Sequence, residues 1–187
     1  MRLFVALDLS DSVRTAISNF CEKLRRAYPA ARWVRTEGIH VTLKFIGEVK
    51  EDRVAPIQAA LGKVFTQAPV EMNFHGTGFF PNERRPRVFW IGIHATPNLA
   101  QIASDIESRL EPLGIAREDR EFRPHLTLAR FNETGGIDKL LAALRESTSQ
   151  KFGAVKTSEM YLYQSKLGRG GAQYIRLATF HFSPEAM

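Results

Sequence analysis

Hydrophobic positions follow two periodicities along the chain, and together they predict an alternation of strands and helices. In stretches such as residues 40–47 apolar and polar side chains alternate, which is typical of strands with one buried face. Elsewhere an apolar residue recurs every three or four positions, as from Val13 to Leu24, which predicts amphipathic helices. The predicted strands cover residues 2–9, 31–35, 40–47, 70–80, 87–95, 125–131, 154–165 and 172–182. The predicted helices are one that begins after Ser10 or Asp11 and three over residues 51–65, 97–111 and 137–147.

This order of elements occurs twice. A shift of 85 positions, which places His40 on His125 (125 minus 40), also places residues 2–9 over residues 87–94. The apolar stripes of the first and third predicted helices coincide under the same shift. Such self-similarity indicates a duplicated unit.

The duplication predicts the architecture. We expect one domain over residues 1–187, made of sequence halves of roughly 1–85 and 86–171 plus a C-terminal strand. Strands and helices in this order predict an α+β fold with two antiparallel sheets backed by helices. Two related halves predict a bilobal, pseudo-twofold arrangement with the active-site cleft between the lobes.

The repeat contains two similar phrases, HVTLKF from position 40 and HLTLAR from position 125. Successive side chains of a strand point to opposite faces, so His40 and Thr42 share one face, as do His125 and Thr127. The apolar residues between them anchor each strand to its helices. A twofold axis would therefore turn both His–Thr pairs towards one cleft.

Two imidazoles and two hydroxyls suit acid–base attack on a phosphodiester. A neutral imidazole takes a proton from water, and a protonated one gives a proton to the leaving oxygen. The ordinary histidine pKa of about 6.5 allows both forms near neutral pH. Threonine hydroxyls donate hydrogen bonds to phosphate oxygens where charge develops. These residues alone leave open which histidine is the acid.

The H-x-T pattern is unspecific in this chain, because His75 with Thr77 and His94 with Thr96 also fit it. His75 lies among glycines, and Thr96 is better explained as a helix cap before a proline. His181 has no threonine partner and is expected to be structural or exposed. Only the register of the repeat separates the phrases at positions 40 and 125 from these others.

Composition narrows the setting of the protein. Cys21 is the only cysteine, which excludes an internal disulfide or a thiolate metal cluster and favours a reducing, cytoplasmic location. It lies in a predicted apolar stripe, where a buried structural thiol is expected. No apolar run reaches about 18 residues, so no membrane span is expected. The net charge of +6 suits an anionic partner such as RNA.

Four blocks of sequence resemble the 2H phosphoesterase superfamily, and within it the prokaryotic RNA 2′,3′-cyclic phosphodiesterases, formerly called 2′-5′ RNA ligases. The blocks are RWVRTEGIHVTLKFIGEV (32–49), FFPNERRPRVFWIGI (79–93), FRPHLTLAR (122–130) and the segment 165–174. The resemblance implies hydrolysis of RNA 2′,3′-cyclic phosphate ends to 2′-phosphate without metal or cofactor. It implies that His40 is the proton donor, that His125 is the proton acceptor, and that Thr42 and Thr127 hold the phosphate. We expect a monomer that acts on such RNA ends or on related nucleotides.

Further side chains are weaker candidates for substrate binding. Lys44 lies on the face of His40 by strict alternation, where it can meet an anionic substrate or simply be solvated. Arg130 stands where the family often has arginine, but strict alternation places it opposite His125 unless a bulge intervenes.

Aromatic and basic residues add two more possibilities. Phe4 and Phe89 coincide under the repeat shift, and one of them can stack on a base, although aromatic strand residues more often lie in the core. The basic segments 83–87 and 166–171 can guide an RNA backbone or form ordinary turns.

Other functions fit the sequence less well. The same groups can serve 2′-5′ RNA ligation or open cyclic phosphates on small nucleotides, and the sequence does not separate these tasks. A non-catalytic RNA-binding module would favour arginine and lysine over paired histidines. A metal site is disfavoured because two histidines with hydroxyls are a poor ligand set and no H-x-x-E or H-E-x-x-H spacing occurs.

Overall fold

The computed structural model describes residues 1–132, 135–147, 150–168 and 171–183, which form nine strands and four α-helices. The strands are β1 (Arg2–Leu7), β2 (Arg32–Trp33), β3 (Val41–Glu48), β4 (Val70–Phe80), β5 (Val88–Ala95), β6 (His125–Arg130), β7 (Lys151–Thr157), β8 (Glu159–Gly168) and β9 (Gly171–His181). The helices are α1 (Asp11–Ala27), α2 (Val54–Leu61), α3 (Asn98–Leu110) and α4 (Ile137–Arg145). Short 3₁₀ turns lie at Thr36–Gly38, Glu51–Arg53 and Glu111–Leu113.

The strands form two antiparallel sheets, which confirms the predicted α+β fold. The first sheet has the order β3-β1-β8-β9, and the second has the order β2-β6-β5-β4-β7. Each sheet takes strands from both halves of the sequence, since β8 and β9 join β1 and β3, while β2 and β4 join β5, β6 and β7. The sheets and the sequence repeat therefore divide the chain differently.

Helices back both sheets and cross between them. α1, which follows a strand of the first sheet, contacts β7 and α4, and Phe20 lies 5.0 Å from the ring of Phe152 on the second sheet. α3, which follows a strand of the second sheet, contacts β3 of the first sheet and also α2. This exchange links the two sheets through one continuous apolar core.

α1 shows how the sequence produces these elements. The Ser10 side chain caps the helix by accepting from the Val13 backbone N–H at 3.4 Å. Four of the five members of the predicted stripe are buried, and each aliphatic one contributes about 1.5–3 kcal/mol. The buried members are Val13, Ile17, Cys21 and Leu24, whereas the fifth, Phe20, is partly buried. Burial raises the pKa of the Cys21 thiol to about 12, as expected for an inert structural cysteine.

A second, small cluster of buried residues lies on the other face of the first sheet, away from the helices. Its members are Phe4, Ala6, Tyr161 and Tyr163. The alternate residues of β1, such as Val5, belong to the main core. Within the described part of the chain, no helix is long and apolar enough to cross a lipid bilayer.

The strand prediction for residues 154–165 is wrong in detail. The single strand predicted over residues 154–165 is two strands, β7 and β8, which belong to different sheets. The chain turns at Ser158, where the Thr157 hydroxyl accepts from the Glu159 N–H at 3.1 Å. No glycine or proline marks this break, so the alternation of apolar and polar residues continues across it and predicts a single strand.

The predicted cap at Thr96 is also wrong. α3 begins at Asn98, and the Thr96 hydroxyl donates to the Asn98 side chain at 2.6 Å instead of accepting from a backbone N–H of the first turn. The helix predicted over residues 51–65 is shorter, because a 3₁₀ turn precedes α2 and α2 ends at Leu61.

Candidate active site

His40 lies where the chain passes from the second sheet to the first. Just after β2, the Val34 N–H donates to the Leu128 carbonyl oxygen of β6 at 2.9 Å. A 3₁₀ turn then leads to His40, the residue directly before β3. The His40 Nδ1 atom lies 2.8 Å from the Gly38 carbonyl oxygen. Because a carbonyl only accepts, Nδ1 carries the hydrogen, and Nε2 is the nitrogen left for chemistry.

His125 has the corresponding position on the second sheet. It opens β6, and its Nδ1 atom lies 2.7 Å from the Arg123 carbonyl oxygen, again two residues earlier. The segment before it starts at the first sheet, where the Ala116 carbonyl oxygen accepts from Lys44 of β3 at 2.7 Å. Both histidines therefore follow a segment that crosses between the sheets, and both are held in the same tautomer.

The two strands share a β-bulge at the same place. In the β1–β3 register Ala6 pairs with Thr42 and Val5 with Lys44, so Leu43 has no partner. In the β5–β6 register the skipped residue is Leu128. A bulge adds one residue to a strand and so reverses the facing of the residues that directly follow it.

The bulge explains why the expectation for Lys44 is wrong. Leu43 and Lys44 are both buried on the core face, and Lys44 is only 2% exposed. The Lys44 ammonium donates to Glu107 Oε2 of α3 at 2.8 Å and lies 3.7 Å from a carboxylate oxygen of Glu118. It therefore points to the helix layer and away from His40.

The corresponding bulge in β6, at Leu128, places Arg130 on the same face as His125. Residues directly opposite in antiparallel strands share a face. Arg130 pairs with Val88, and Val88 pairs with Phe80, whose ring lies 5.1 Å from that of His125. The sequence alone marked Arg130 as needing a bulge, and the structure has one.

Phe45 is the counterpart of Arg130 on the first sheet, and the sequence did not single it out. It pairs with Phe4, whose ring lies 6.2 Å away, and it is 60% exposed. Phe4 in turn lies 5.9 Å from the His40 ring. Phe89, the repeat partner of Phe4, is fully buried in the core. Phe45 could have been found only by predicting the bulge that turns it to the face of His40, and no residue type in the sequence indicates that bulge.

Aromatic rings and one carboxylate surround His40. Tyr163 and Tyr174 lie 4.5 and 5.4 Å from its ring. One oxygen of Asp8 lies 3.6 Å from His40 Nε2 and accepts from the Tyr163 hydroxyl at 2.7 Å. The other oxygen accepts from Arg176 at 2.5 Å. Residue pattern gave no signal for this network, because its members lie at opposite ends of the chain.

The environment shifts the proton affinity of His40 in opposing directions. Burial lowers the pKa of His40 below its ordinary value and is the largest effect. The Asp8 carboxylate and the hydrogen bond to Gly38 oppose it, while Arg14 and Arg176 add to it. Burial and the hydrogen bond to Asp8 raise the pKa of Tyr163 to about 12, so Tyr163 stays a neutral donor.

The strand registers show which residue of the second sheet occupies the position that Asp8 has on the first sheet, and that residue is not a carboxylate. Ala6 of β1 pairs with Thr42, and Trp90 of β5 pairs with Thr127. Two residues further along the chain from these are Asp8 and Gly92. The first histidine thus has a carboxylate beside it at the place where the second has only a glycine.

Comparison with known proteins identifies the family. The model of the LigT-like phosphoesterase family matches the chain twice in tandem, at residues 7–90 and 91–174. The chain belongs to this family. The two matches confirm the duplication predicted from the sequence, and family membership confirms the resemblance carried by the four sequence blocks.

Relatives in this family match over the full length. The RNA 2′,3′-cyclic phosphodiesterase of Archaeoglobus fulgidus is 35% identical, over 96% of this chain and 99% of that protein. A crystal structure from Thermus thermophilus superposes with a TM-score of 0.81 at 28% identity and covers 100% of both chains. The E. coli LigT structure complexed with 3′-AMP gives 0.78 at 27% identity and covers 97% of both.

The remaining predicted candidates are placed as follows. In segment 83–87 the Asn82 side chain accepts from the Arg84 and Arg85 N–H groups, both at 3.0 Å, so this basic segment is an ordered turn. In segment 166–171, positions 169 and 170 lie outside the described residues. Among the described residues, no three His, Cys, Asp or Glu side chains are grouped for a metal ion.

Proposed function

We propose that this chain hydrolyses the 2′,3′-cyclic phosphate at the 3′ end of an RNA to a 2′-phosphate, by two-histidine catalysis without a metal ion. The observation that carries the proposal is the matched placement of His40 and His125. Each is held through Nδ1 by the carbonyl oxygen two residues earlier, and each precedes the same bulge. Family membership and the name of the Archaeoglobus relative support the substrate class.

In the proposed reaction, Nε2 of neutral His125 takes a proton from water, and the oxygen of that water attacks phosphorus. The bond from phosphorus to the 3′ oxygen breaks, and Nε2 of protonated His40 donates its proton to that oxygen. The products are a 2′-phosphate and a free 3′ hydroxyl. Each positioned proton transfer contributes typically about 10²–10⁴-fold to the rate.

The phosphate is proposed to be held by Thr42, Thr127 and Arg130. The two threonines are partly exposed on the strands of the catalytic histidines. The Arg130 guanidinium, on the face of His125, is a planar donor suited to phosphate oxygens. Donors placed before the reaction stabilise the charge that develops on the non-bridging oxygens.

The terminal base is proposed to stack on the aromatic side chains near His40. Phe45 of β3 and Tyr174 of β9 offer exposed ring faces, at 60% and 39% exposure, and both rings lie against Phe4, which is buried beneath them at 5% exposure. Stacking on aromatic rings is tolerant of base identity and contributes about 1–3 kcal/mol per base.

Asp8 supports the assignment of His40 as the acid. Its carboxylate lies beside the Nε2 atom that must carry a proton, and a negative charge there favours the imidazolium form. At the corresponding place on the second sheet, the residue paired with His125 is Gly92, which carries no carboxylate. The departure from symmetry matches the different tasks that the two histidines are proposed to perform.

The test is incubation with a short RNA that ends in a 2′,3′-cyclic phosphate, in the presence of EDTA, with chromatography of the product against 2′- and 3′-phosphate standards. We expect a 2′-phosphate. His40→Ala and His125→Ala should each lower kcat at least about 100-fold while thermal melting shows a folded protein. The control is His181→Ala, since His181 is an exposed histidine paired with Glu159 at 3.2 Å. A 3′-phosphate product, activity abolished by EDTA, or near-normal activity of either alanine variant would contradict the proposal.

Small cyclic nucleotides are a second candidate substrate. The relative from E. coli has been crystallised with 3′-AMP, which is a mononucleotide. The same two proton transfers open a cyclic phosphate on a mononucleotide, so the assay above should include 2′,3′-cyclic AMP beside the RNA. The ratio of the two kcat/KM values decides which substrate the site prefers.

A further inference from the structure

We propose that an aromatic row on the second sheet binds the bases of the nucleotides that precede the cyclic end of an RNA substrate. The row consists of Phe80, Trp90, His94 and His75. This inference rests on the proposed function, because it extends the same substrate beyond its terminal nucleotide. No part of the row takes part in the proposed proton transfers.

The register of the strands places the row on the face of His125. Trp90 pairs with Thr127, and Gly92 pairs with His125. His94 is two residues beyond Gly92 on the same strand and therefore shares this face. Phe80, on the neighbouring strand, contacts the His125 ring edge-on at 5.1 Å. The alternate residues Phe89 and Ile91 are buried against the helices.

Two exposed imidazoles end the row. The rings of His75 and His94 are parallel within 4° and 3.8 Å apart. Their nitrogen lone pairs lie side by side in parallel planes, so they do not converge on one ion, as a metal site requires. A flat pair of rings open to solvent is instead suited to stacking with a planar ligand, and nucleobases are the planar groups of the proposed substrate.

Glycines keep the surface of the row open. A Cβ atom on Gly78 would lie 2.2 Å from the Trp90 ring, so only glycine lets the indole lie across β4. Trp90 in turn lies 5.2 Å from the ring of Phe80. A Cβ atom on Gly92 would lie 2.9 Å from the His75 carbonyl oxygen, 3.6 Å from the Trp90 ring and 4.0 Å from His94 Nε2.

The row therefore consists of two ring pairs, Phe80 with Trp90 and His75 with His94, and it starts beside His125. Trp90 and His94 flank the bare position at Gly92, which is the partner of His125 in the sheet. A shallow pocket beyond His94 is also lined by Phe122 and by Pro124, the residue before His125. A chain that leaves the site along this sheet meets ring faces at successive positions.

The row predicts that longer substrates react better. A cyclic mononucleotide reaches only the catalytic groups, whereas a tetranucleotide with a cyclic end also covers the row. The experiment compares kcat/KM for these two substrates in the wild type, in a His75→Ala/His94→Ala double variant, in His94→Phe, and in the His181→Ala control. Both row histidines are exposed, so the double variant should fold.

We expect the wild type and the control to prefer the tetranucleotide. The double variant should lose about fivefold or more of that preference, with kcat/KM for the mononucleotide unchanged. His94→Phe should keep the preference, since it retains a ring and removes the titratable nitrogens. The inference is overturned if the wild type shows no preference, if the double variant keeps it, or if both substrates lose activity equally.

A binding measurement tests the row without turnover. The chain has two tryptophans, and Trp33 is held on the core side, with its ring 6.2 Å from Phe89. An RNA tetranucleotide with a plain 3′ hydroxyl should quench tryptophan fluorescence in the wild type and not in Trp90→Phe. If neither substrate is hydrolysed but this quenching occurs, the proposed function fails and the row stands. Absence of quenching in the wild type would refute the row by itself.

Discussion

Replacing Asp8 by asparagine should weaken catalysis on the alkaline side of the pH optimum only. The Asp8 oxygen lies 3.6 Å from His40 Nε2, and its side chain is 26% exposed. Two unit charges at this distance attract by about 1 kcal/mol in a water-like environment and by more where the dielectric constant is lower. Arg176 and solvent both screen this pair, so we take the smaller figure, which corresponds to about fivefold in the population of protonated His40.

The sign of this effect follows from the proposed role of His40 as the proton donor. Removing the negative charge of Asp8 lowers the pKa of His40 further below its ordinary value, in the direction in which burial already moves it. At alkaline pH the rate is proportional to the fraction of His40 that is protonated, so kcat/KM falls by about fivefold. At acid pH His40 is protonated in the variant and in the wild type alike, so their kcat/KM values converge.

The assay is kcat/KM for a 2′,3′-cyclic nucleotide from about pH 5 to about pH 9. Asp11→Asn is the matched control, because it makes the same charge change on an exposed residue in the first turn of α1. Thermal melting must show that both variants are folded. A loss of the same size at every pH would mean that Asp8 acts through the shape of the site, and no loss at alkaline pH would refute its effect on the acid.

Two further substitutions separate stability from substrate binding. Lys44→Met leaves Glu107 without its ion-pair partner, so the free energy of unfolding in urea should fall by about 2–4 kcal/mol. The kcat/KM of the folded variant should change little. A raised KM at normal stability would contradict the placement of Lys44 away from the substrate. Phe45→Ala should raise KM about fivefold or more without loss of stability, whereas Phe65→Ala, which removes an equally exposed ring (61% against 60%), should not; equal effects of the two would contradict stacking at Phe45.

The alternation of residues predicted the fold class, the strands of the histidines and the shared faces of their threonines. These are local properties, since the face of a side chain follows from strand geometry over a few residues. The apolar residues Val41, Leu43, Leu126 and Leu128 are buried as predicted. Alternation failed at Lys44 because of the bulge at Leu43, which arises where the pairing between β1 and β3 shifts by one residue. The bulge contains no glycine or proline that would mark it in the sequence.

Long-range contacts lay beyond residue patterns altogether. Asp8 and Arg176 are separated by 168 positions and meet only because β9 joins the sheet that β1 begins. The pairing of β8 and β9 with the first sheet was equally invisible, because the pattern that predicts a strand does not select its neighbours. The sequence repeat revealed the features that the two sheets share, such as the His–Thr pairs. It could not reveal which side chains lie beside each histidine, where the two sheets differ.

Differences at corresponding places on the two sheets would let a duplicated site perform the asymmetric reaction that we propose. Hydrolysis needs one acid and one base, and two identical histidine environments would favour neither assignment. The backbone is alike in the two halves in the bulge and in the Nδ1 hydrogen bond, so both imidazoles present Nε2. The side chains beside them differ: Asp8 corresponds to Gly92, and Phe45 corresponds to Arg130. Next to His40, the carboxylate favours a protonated imidazole and the aromatic rings favour stacking of the terminal nucleobase. Next to His125, the arginine favours binding of the phosphate and the open position leaves room for water. On this reasoning duplication supplied the two nitrogens, and divergence at a few facing residues gave them different tasks.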